Sequence, residues 1–233
     1  MSFSMSISNK LFTEVLSQKQ SFMKNKDSFM KDIRETYKGD LMTKPKSIYF
    51  EVGHNNQTFI NICENSEKIK NELNKLWVDM SDGLIEFNID CRVMTSVVNE
   101  VVRIHPQILL HYGNCGFVTI CPLGDNSIEL STIRVVPHLR GTKMGSIIMT
   151  QLLEVLEEYQ SEDFKTIMLE CVGSLGSGED REVSSISQQT KFFRRFGFRV
   201  VESKNNRGGG LDYVKMNFFS DKVDYDYING VLK

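Results

Sequence analysis

The sequence predicts a mixed α/β (α+β) protein, in which a mixed and mostly antiparallel sheet is flanked by helices and preceded by a helical extension. Three observations lead to this fold class. The N-terminal segment carries a helical stripe, three β-rich segments follow one another closely in the middle of the chain, and a long helical pattern separates two later β-rich segments. We expect an extension at residues 1–45, a core domain at 46–220 and a C-terminal tail at 221–233.

The N-terminal segment contains no Pro or Gly between residues 9 and 37. Its apolar pairs, at 15 and 16, 22 and 23, and 29 and 30, recur every seven residues, which is the stripe of an amphipathic helix. We therefore expect one helix over 9–37. Such a helix either docks on its own domain or forms a short seam with a second copy of the chain, so a homodimer through this helix is one predicted assembly.

The next segments alternate between strand and helix signals. Residues 47–65 contain β-rich runs on either side of a polar turn, which predicts a pair of strands. Residues 66–83 place apolar side chains on one helical face and end at a glycine, so we expect a helix there. The segment at 92–104 is expected to form another helix, despite its valines.

Turn residues divide the second half of the chain. They separate three expected strands, at 107–113, 116–123 and 127–136. After these we expect a helix at 143–159, a strand at 165–173, a helix at 187–196, strands at 197–203 and 211–219, and a peripheral acidic tail. The helix at 143–159 joins two strands of one sheet, which is typical of a parallel crossover.

The composition argues against several classes of protein. A net charge of -2 and an isoelectric point near 6.1 argue against binding of nucleic acid through overall charge. The five cysteines form no C-x-x-C pair, which is typical of free thiols in a reducing compartment and predicts no metal site. The sequence shows neither a signal-peptide pattern nor an apolar run of the roughly 18 residues that a membrane span needs. We therefore expect a cytoplasmic protein with no membrane partner.

The most informative stretch is the turn RGTKMGS, at residues 140–146, between a strand and the long helix. A helix leaves its first N–H groups without intrahelical partners and carries partial positive charge at that end. Glycines let a ligand approach those amides closely, which suits a phosphate group. The amides belong here to Gly141, Thr142, Lys143, Met144, Gly145 and Ser146, and Arg140 and Lys143 add charge. By itself, such a turn is more often a structural helix start than an anion site.

The sequence around this turn resembles the acetyl-CoA loop of the GCN5-related N-acetyltransferases, the GNAT family. In that family a strand ending in a Val-x-Pro-like segment runs into Arg/Gln-x-x-Gly-x-Gly/Ala and then a helix. The matching residues are Val135, Pro137, Arg140 and Gly145. The order of the expected elements also matches that fold, so the resemblance covers roughly residues 47–219 and implies a GNAT-like sheet.

A second stretch, KFFRRFGFRVV, resembles the other signature of the family, an aromatic residue followed after three residues by Gly-Phe at the start of a strand. Phe193, Gly197 and Phe198 fill those positions. The family often has a Tyr at the aromatic position, where it acts as general acid. Phe193 has no proton to give, so either no side-chain acid is needed or another residue, such as Tyr213, supplies it.

The resemblance implies an enzyme that transfers an acetyl group directly from acetyl-CoA to an amine. The diphosphate of the co-substrate would bind at residues 140–146. Its pantetheine would run along Ile133, Arg134 and Val135, where a backbone N–H would stabilise the oxyanion. A lysine-like amine with a pKa of about 10.4 must lose a proton before it can react at pH 7. The preferred base is Glu129, on the strand before the turn, and Glu170 on the neighbouring strand is the alternative.

A second departure concerns Lys143, which stands where the family's pattern has its first glycine. Lysine is acceptable there if the residue lies just inside the helix, but it distorts the loop if the position requires a positive φ. The two departures favour a second interpretation, in which the chain is a catalytically degenerate GNAT-fold protein that binds CoA or a protein partner. The sequence does not identify the acceptor amine.

Overall fold

The computed structural model of the protein describes residues 7–36, 47–50, 56–81, 86–98, 101–172, 185–204 and 213–231. It confirms the fold class, a mixed and mostly antiparallel sheet flanked by helices. The helices are α1 (Ile7–Lys24), α2 (Lys26–Thr36), α3 (Gln57–Glu64), α4 (Ser66–Ser81), α5 (Met144–Tyr159), α6 (Ile186–Arg195) and α7 (Tyr225–Val231). The strands are β1 (Ser47–Phe50), β2 (Phe87–Val98), β3 (Val101–Tyr112), β4 (Gly116–Pro122), β5 (Ile128–Val135), β6 (Ile167–Val172), β7 (Phe196–Lys204) and β8 (Tyr213–Val223). Of the described helices, none is long and apolar enough to cross a membrane.

The described strands form one sheet in the order β1-β3-β4-β5-β6-β8-β7. β2 lies outside this order and pairs with β3 along its whole length, from Val101 to Tyr112. β5 and β6 run parallel, because α5 carries the chain back between them, so the expected crossover is confirmed. The three central strands β3, β4 and β5 lie side by side and antiparallel, also as expected. β1 forms a second parallel pair with β3, which the sequence did not predict.

Helix α5 fixes the position of the turn that precedes it. One face of the helix is buried in the main apolar cluster, together with side chains from β5 and β6. Burying a side chain of this size contributes about 1.5–3 kcal/mol, so the face as a whole holds α5 firmly against the sheet. The buried apolar residues of α5 are Ile148, Met149, Leu152, Val155, Leu156 and Tyr159.

The N-terminal segment forms two helices rather than the single helix expected over 9–37. The break lies at Asn25, whose side chain accepts a hydrogen bond from the Ser28 N–H at 3.0 Å and so caps α2. α1 docks on the sheet of its own chain, where Leu11 and Val15 are buried. Part of its seven-residue stripe therefore packs within the chain, whereas the second member of each apolar pair on α1 is exposed. A homodimer through this segment and the domain boundaries at 45 and 220 stay predictions.

Two other segments differ from expectation. Residues 57–64 form α3 rather than a strand, because the Asn56 side chain caps the helix by accepting from the Phe59 N–H at 3.0 Å. Most of the polar turn expected beside this segment lies outside the described residues. The segment at 92–104 lies in the strands β2 and β3 rather than in a helix, which agrees with the preference of valine and other β-branched residues for strands.

Candidate functional site

The sheet divides into two branches between β5 and β6. Among the residues that the structure describes, these strands pair only from Ile128 to Leu130 on β5, and beyond Leu169 β6 pairs only with β8. The division coincides with a bulge: Leu130 pairs with Ile120 and Thr132 with Thr119, which leaves Ser131 as the extra residue of β5. A bulge bends its strand, so β5 turns away from β6 at this point and a cleft opens between them.

The backbone of β5 faces this cleft at alternate residues. The Val136 N–H donates to the Cys115 carbonyl at 2.9 Å, so this amide points toward the β4 side. Successive residues of a strand direct their backbone groups to opposite sides. Ile133 and Val135 therefore direct theirs away from β4, into the cleft, whereas Arg134 directs its carbonyl toward Gly116 of β4.

The chain then passes from the cleft to the start of α5 through the turn at 140–146. Gly141 has a φ of +77°, a conformation that favours glycine, and a Cβ added there would meet nothing within 4 Å. The turn therefore exposes its backbone at this residue. Lys143 has helical angles, φ -72° and ψ -4°, immediately before α5. A lysine at this position thus causes no distortion of the loop.

The turn is held together by its own polar side chains. The Thr142 hydroxyl donates to the Leu139 carbonyl at 2.7 Å and accepts from the Met144 N–H at 3.2 Å, so it acts as a cap. The Arg140 side chain is exposed, and its Nε donates to the Val135 carbonyl at 3.2 Å. This bond ties the turn to the end of β5.

Two other residues of the turn face inward or toward the C-terminal helix. A Cβ added at Gly145 would lie 3.6 Å from both Phe192 and Val135, which is ordinary van der Waals contact, so a methyl group fits between α5, α6 and β5 but a larger side chain does not. The Ser146 side chain is buried, and its hydroxyl is 2.7 Å from the Tyr227 hydroxyl of α7. The Ser146 hydroxyl thus has a partner, and so does its backbone amide, which donates to the Lys143 carbonyl at 2.9 Å.

Glu129 lies on β5 two residues before the bulge. Because its neighbours Ile128 and Leu130 are buried on the side of α5, the Glu129 side chain lies on the opposite face of the sheet. It is 25% exposed, and one carboxylate oxygen lies 3.6 Å from Nη2 of Arg103 on β3. The carboxylate is thus partly shielded from water, paired with a guanidinium, and close to the start of the cleft.

Glu170 lies on the same face of the sheet, beside the divergence of β6 from β5. It is 48% exposed and lies 3.5 Å from the Lys215 ammonium, which is also 3.5 Å from Glu202. Burial lowers the pKa of the Lys215 ammonium. The carboxylates of Glu170 and Glu202 raise this pKa and outweigh the effect of burial, so the net shift is upward. Glu170 is therefore the more exposed of the two candidate bases and belongs to a surface ion cluster.

The neighbouring Tyr213 donates a hydrogen bond to Glu202 at 2.6 Å. This bond raises the pKa of Tyr213 and lowers the pKa of Glu202. A phenol held in this way gives up its proton less readily, so Tyr213 is a poor substitute for the missing tyrosine acid.

Two residues near the cleft belong to the core. Phe193 is buried and makes edge contacts with Phe192 and Phe198, at centroid distances of 5.1 and 5.7 Å. Cys171 is buried on β6, and burial raises the pKa of its thiol to about 11, so it is not a nucleophilic thiolate at neutral pH. Neither side chain supplies chemistry to the cleft.

Sequence reasoning missed two parts of the site. Arg103 was hidden in a segment expected to be helical, and its contact with Glu129 depends on the sheet that β3 joins. The C-terminal tail was expected to be peripheral, but α7 lies on the first turn of α5 through Tyr227 and Gly230. The signal that could have indicated this burial is the presence of aromatic and apolar residues in the tail, among them Tyr227 and Ile228, which pack against the main apolar cluster.

No family model matches the chain, and no curated protein matches its sequence. Among solved structures, it is similar to a protein from Desulfovibrio desulfuricans described as an acetyltransferase of the GNAT family. The identity is 14%, 50% of this chain and 69% of that chain are covered, and the TM-score is 0.38. A GNAT family acetyltransferase from Elizabethkingia anophelis with acetyl-CoA bound has 14% identity, covers 49% of this chain and 75% of its own, and gives a TM-score of 0.35. For nourseothricin acetyltransferase the identity is 14%, the coverage 58% of this chain and 88% of that chain, and the TM-score 0.35.

Similarities at this level carry no argument about activity. The order of the elements, the parallel β5–β6 pair with its crossover helix, and the mostly antiparallel sheet are properties of this chain itself. Together they give it a GNAT-like fold.

Proposed function

We propose that the chain is an acetyl-CoA-dependent N-acetyltransferase that transfers an acetyl group directly to an amine. The observation that supports this function best is the continuity of three features. The cleft between β5 and β6, the exposed backbone of Gly141 and the start of α5 follow one another along a single stretch of chain. A long ligand with an anionic end and a chain that pairs with a strand edge fits such an arrangement.

Each part of acetyl-CoA then has a partner of suitable chemistry. The backbone amides of Gly141, Lys143 and Gly145 and the positive end of α5 bind the diphosphate, and the exposed cations Arg140 and Lys143 add attraction. The amides of Thr142, Met144 and Ser146 already donate within the turn and shape it. The pantetheine amides pair with the cleft-facing backbone of Ile133 and Val135, and Arg134 lies between them on the β4 side. The Thr142 hydroxyl contributes by holding the turn rather than by meeting the ligand.

The transfer itself needs few side chains. The amine nitrogen attacks the thioester carbonyl, the carbonyl oxygen gains negative charge, and a backbone N–H of β5 in the cleft stabilises that oxyanion. The carbon–sulfur bond then breaks, and the CoA thiolate leaves and takes a proton from solvent. Phe193 has no proton for it, but a thiolate is a good enough leaving group to depart without a side-chain acid.

Glu129 is the proposed base that takes the proton of the amine. Its partial burial near the opening of the cleft distinguishes it from Glu170, which is more exposed and tied to Lys215. The ion pair with Arg103 keeps the Glu129 carboxylate in place. Glu170 remains the alternative base, because it lies on the same face of the sheet.

A second function is favoured by a specific observation on the turn. The Lys143 ammonium and the Ser146 hydroxyl both bond to α7, and the general-acid position holds the buried Phe193. These features fit a GNAT-fold protein that binds CoA or a protein partner without catalysis. The transferase consumes acetyl-CoA, whereas the second function does not. The two share the binding of CoA where the second function is that of a CoA-binding protein.

Calorimetric titration of the full chain with acetyl-CoA tests both proposals, with desulfo-CoA and ATP as controls. We expect micromolar binding of acetyl-CoA and much weaker binding of ATP. Release of free CoA thiol is then followed over a panel of peptide, aminoglycoside, polyamine and small-metabolite amines. Thiol release that depends on an amine supports the transferase, and binding without release on any amine supports a degenerate CoA-binding protein. Absence of binding overturns both of these and favours a GNAT-fold protein that binds a protein partner.

A further inference from the structure

Two features of the chain are not required by the proposed transfer: a lysine in place of a glycine at position 143, and a helix formed by the C-terminal tail. The structure brings them together. Nζ of Lys143 donates a hydrogen bond to the Gly230 carbonyl of α7 at 2.7 Å. One turn further along α5, the Ser146 and Tyr227 hydroxyls are 2.7 Å apart. α7 therefore contacts the start of α5 at two positions.

Tyr227 anchors α7 to the body of the protein. Its ring makes an edge contact with Phe196 at a centroid distance of 5.9 Å, and the Arg195 guanidinium lies over it at 4.6 Å. The start of α7 is fixed as well, because the Asp224 N–H donates to the Arg195 carbonyl at 3.0 Å and the Asp224 carboxylate accepts from the Tyr227 N–H at 3.0 Å. The first turn of α7 is thus held by several contacts, and its last turn contacts α5 through Lys143.

The two helices meet with opposite ends. Carbonyl groups in the last turn of a helix carry partial negative charge, whereas the first turn of a helix carries partial positive charge. Gly230 belongs to the last turn of α7, and Lys143 immediately precedes α5. The Gly230 carbonyl therefore meets the same positive end of α5 that attracts an anion.

We propose that α7 competes with the diphosphate of the co-substrate for Lys143, so that binding of the anion releases the last turn of α7. A phosphate oxygen carries full charge and bonds an ammonium more strongly than a neutral carbonyl does. The ammonium therefore moves from the Gly230 carbonyl to the phosphate when the ligand binds, while Tyr227 keeps the first turn of α7 in place. This inference rests on the proposed function for the identity of the anion, and it makes α7 a regulator of affinity at that site.

The contact itself is tested without any ligand, by hydrogen–deuterium exchange of the amides in residues 225–231. Lys143→Met removes the ammonium but fits a helix start, and Lys191→Met is the matched control, because Lys191 is an exposed lysine on α6. We expect severalfold faster exchange in the last turn of α7 for Lys143→Met and the unaltered rate for Lys191→Met. Equal rates in the two variants would overturn the proposal, since α7 would then be held without Lys143.

The competition is tested by adding acetyl-CoA, and in a separate experiment inorganic pyrophosphate, to the unaltered chain. We expect each to increase exchange in the last turn of α7. Binding of acetyl-CoA with unchanged or slower exchange would overturn the competition alone and leave the proposed function standing. Absence of binding by both probes would overturn the proposed function together with the competition.

Affinity gives an independent test. Tyr227→Ala removes the anchor of α7, and Tyr225→Ala is its control on the same helix, because Tyr225 is 63% exposed. We expect acetyl-CoA to bind Tyr227→Ala about threefold to tenfold more tightly than it binds the unaltered chain. Its affinity for Tyr225→Ala should equal its affinity for the unaltered chain. Weaker binding by Tyr227→Ala would mean that α7 supports the site instead of competing for it. If that variant does not fold, Tyr227→Phe, which loses only the bond to Ser146, replaces it.

Discussion

Replacing Gly116 by alanine should push β5 away from β4 at the cleft. Gly116 lies opposite Val135 in the ladder between the two strands. A Cβ added there would lie less than 3.0 Å from the Arg134 carbonyl oxygen, 3.1 Å from its carbonyl carbon and 3.2 Å from the Val135 Cα. All three are backbone atoms, which cannot rotate out of the way, so the strand itself has to move.

The expected loss of stability follows from this geometry. The neighbouring ladder bond, from the Val136 N–H to the Cys115 carbonyl, measures 2.9 Å. Hydrogen bonds of this kind lie between about 2.7 and 3.2 Å, so a shift of a few tenths of an ångström weakens it. Overpacking costs about 1–3 kcal/mol and a lost hydrogen bond about 1 kcal/mol. We expect the free energy of unfolding to fall by about 2–4 kcal/mol.

The same shift should weaken binding of acetyl-CoA about tenfold or more, which corresponds to about 1.4 kcal/mol, because Ile133 and Val135 move with the strand. Urea unfolding followed by circular dichroism measures the stability, and calorimetry measures the affinity. Gly124→Ala is the matched control, since a Cβ there meets nothing within 4 Å, and its stability should stay within about 0.5 kcal/mol of the unaltered chain.

Two outcomes would refute parts of this reasoning. Equal stability of Gly116→Ala and Gly124→Ala would show that the two strands do not approach each other as closely as described. A destabilised Gly116→Ala protein with unchanged affinity for acetyl-CoA would show that β5 does not hold the pantetheine.

Three further substitutions test other parts of the site. Glu129→Gln should keep the affinity for acetyl-CoA but lose rate mainly below about pH 8, where the amine needs its base, whereas Glu170→Gln should keep the shape of the pH–rate profile. The reverse result would assign the base to Glu170. Gly145→Ala should bind acetyl-CoA normally, since a methyl group fits 3.6 Å from Phe192. Gly145→Leu should bind it more weakly, as measured by calorimetry. Equal affinity of the two variants would contradict the packing argument. Gly197→Ala should lose about 2 kcal/mol or more in urea unfolding, because φ is +89° and its Cβ would lie 2.7 Å from a backbone carbonyl of β8. A smaller loss would mean that this turn adapts to a side chain.

The elements that the sequence predicted well are those whose signals are local. Turns with Gly, Asn or Asp separate the strands β3, β4 and β5, and α5 is a long apolar pattern without Pro or Gly after Gly145. These elements frame the turn at 140–146, so the part of the site that depends on them was predictable. The helical angles of Lys143 resolve an alternative that the sequence left open.

The elements that the sequence did not predict depend on distant partners. The side chain of Asn56, which starts α3, donates hydrogen bonds to the carbonyls of Leu123 and Ser127 in the turn between β4 and β5. An asparagine in a polar stretch gives no sign of such partners, so the stretch resembled a simple turn. Likewise, the valines of β2 and β3 fit either a buried helix or a pair of strands until the pairing between the strands is known.

Lys143 shows how the same distinction applies to function. The backbone conformation at position 143 is helical and is set locally. A lysine in place of the glycine of the resembling pattern therefore leaves the shape of the turn at 140–146 unchanged. The side chain, in contrast, finds its partner 87 residues away in the sequence, on α7. The substitution therefore changes the competition for the turn rather than its geometry. For this reason Lys143→Met should loosen α7 in the absence of ligand, and it should remove the dependence of α7 exchange on acetyl-CoA even if acetyl-CoA still binds.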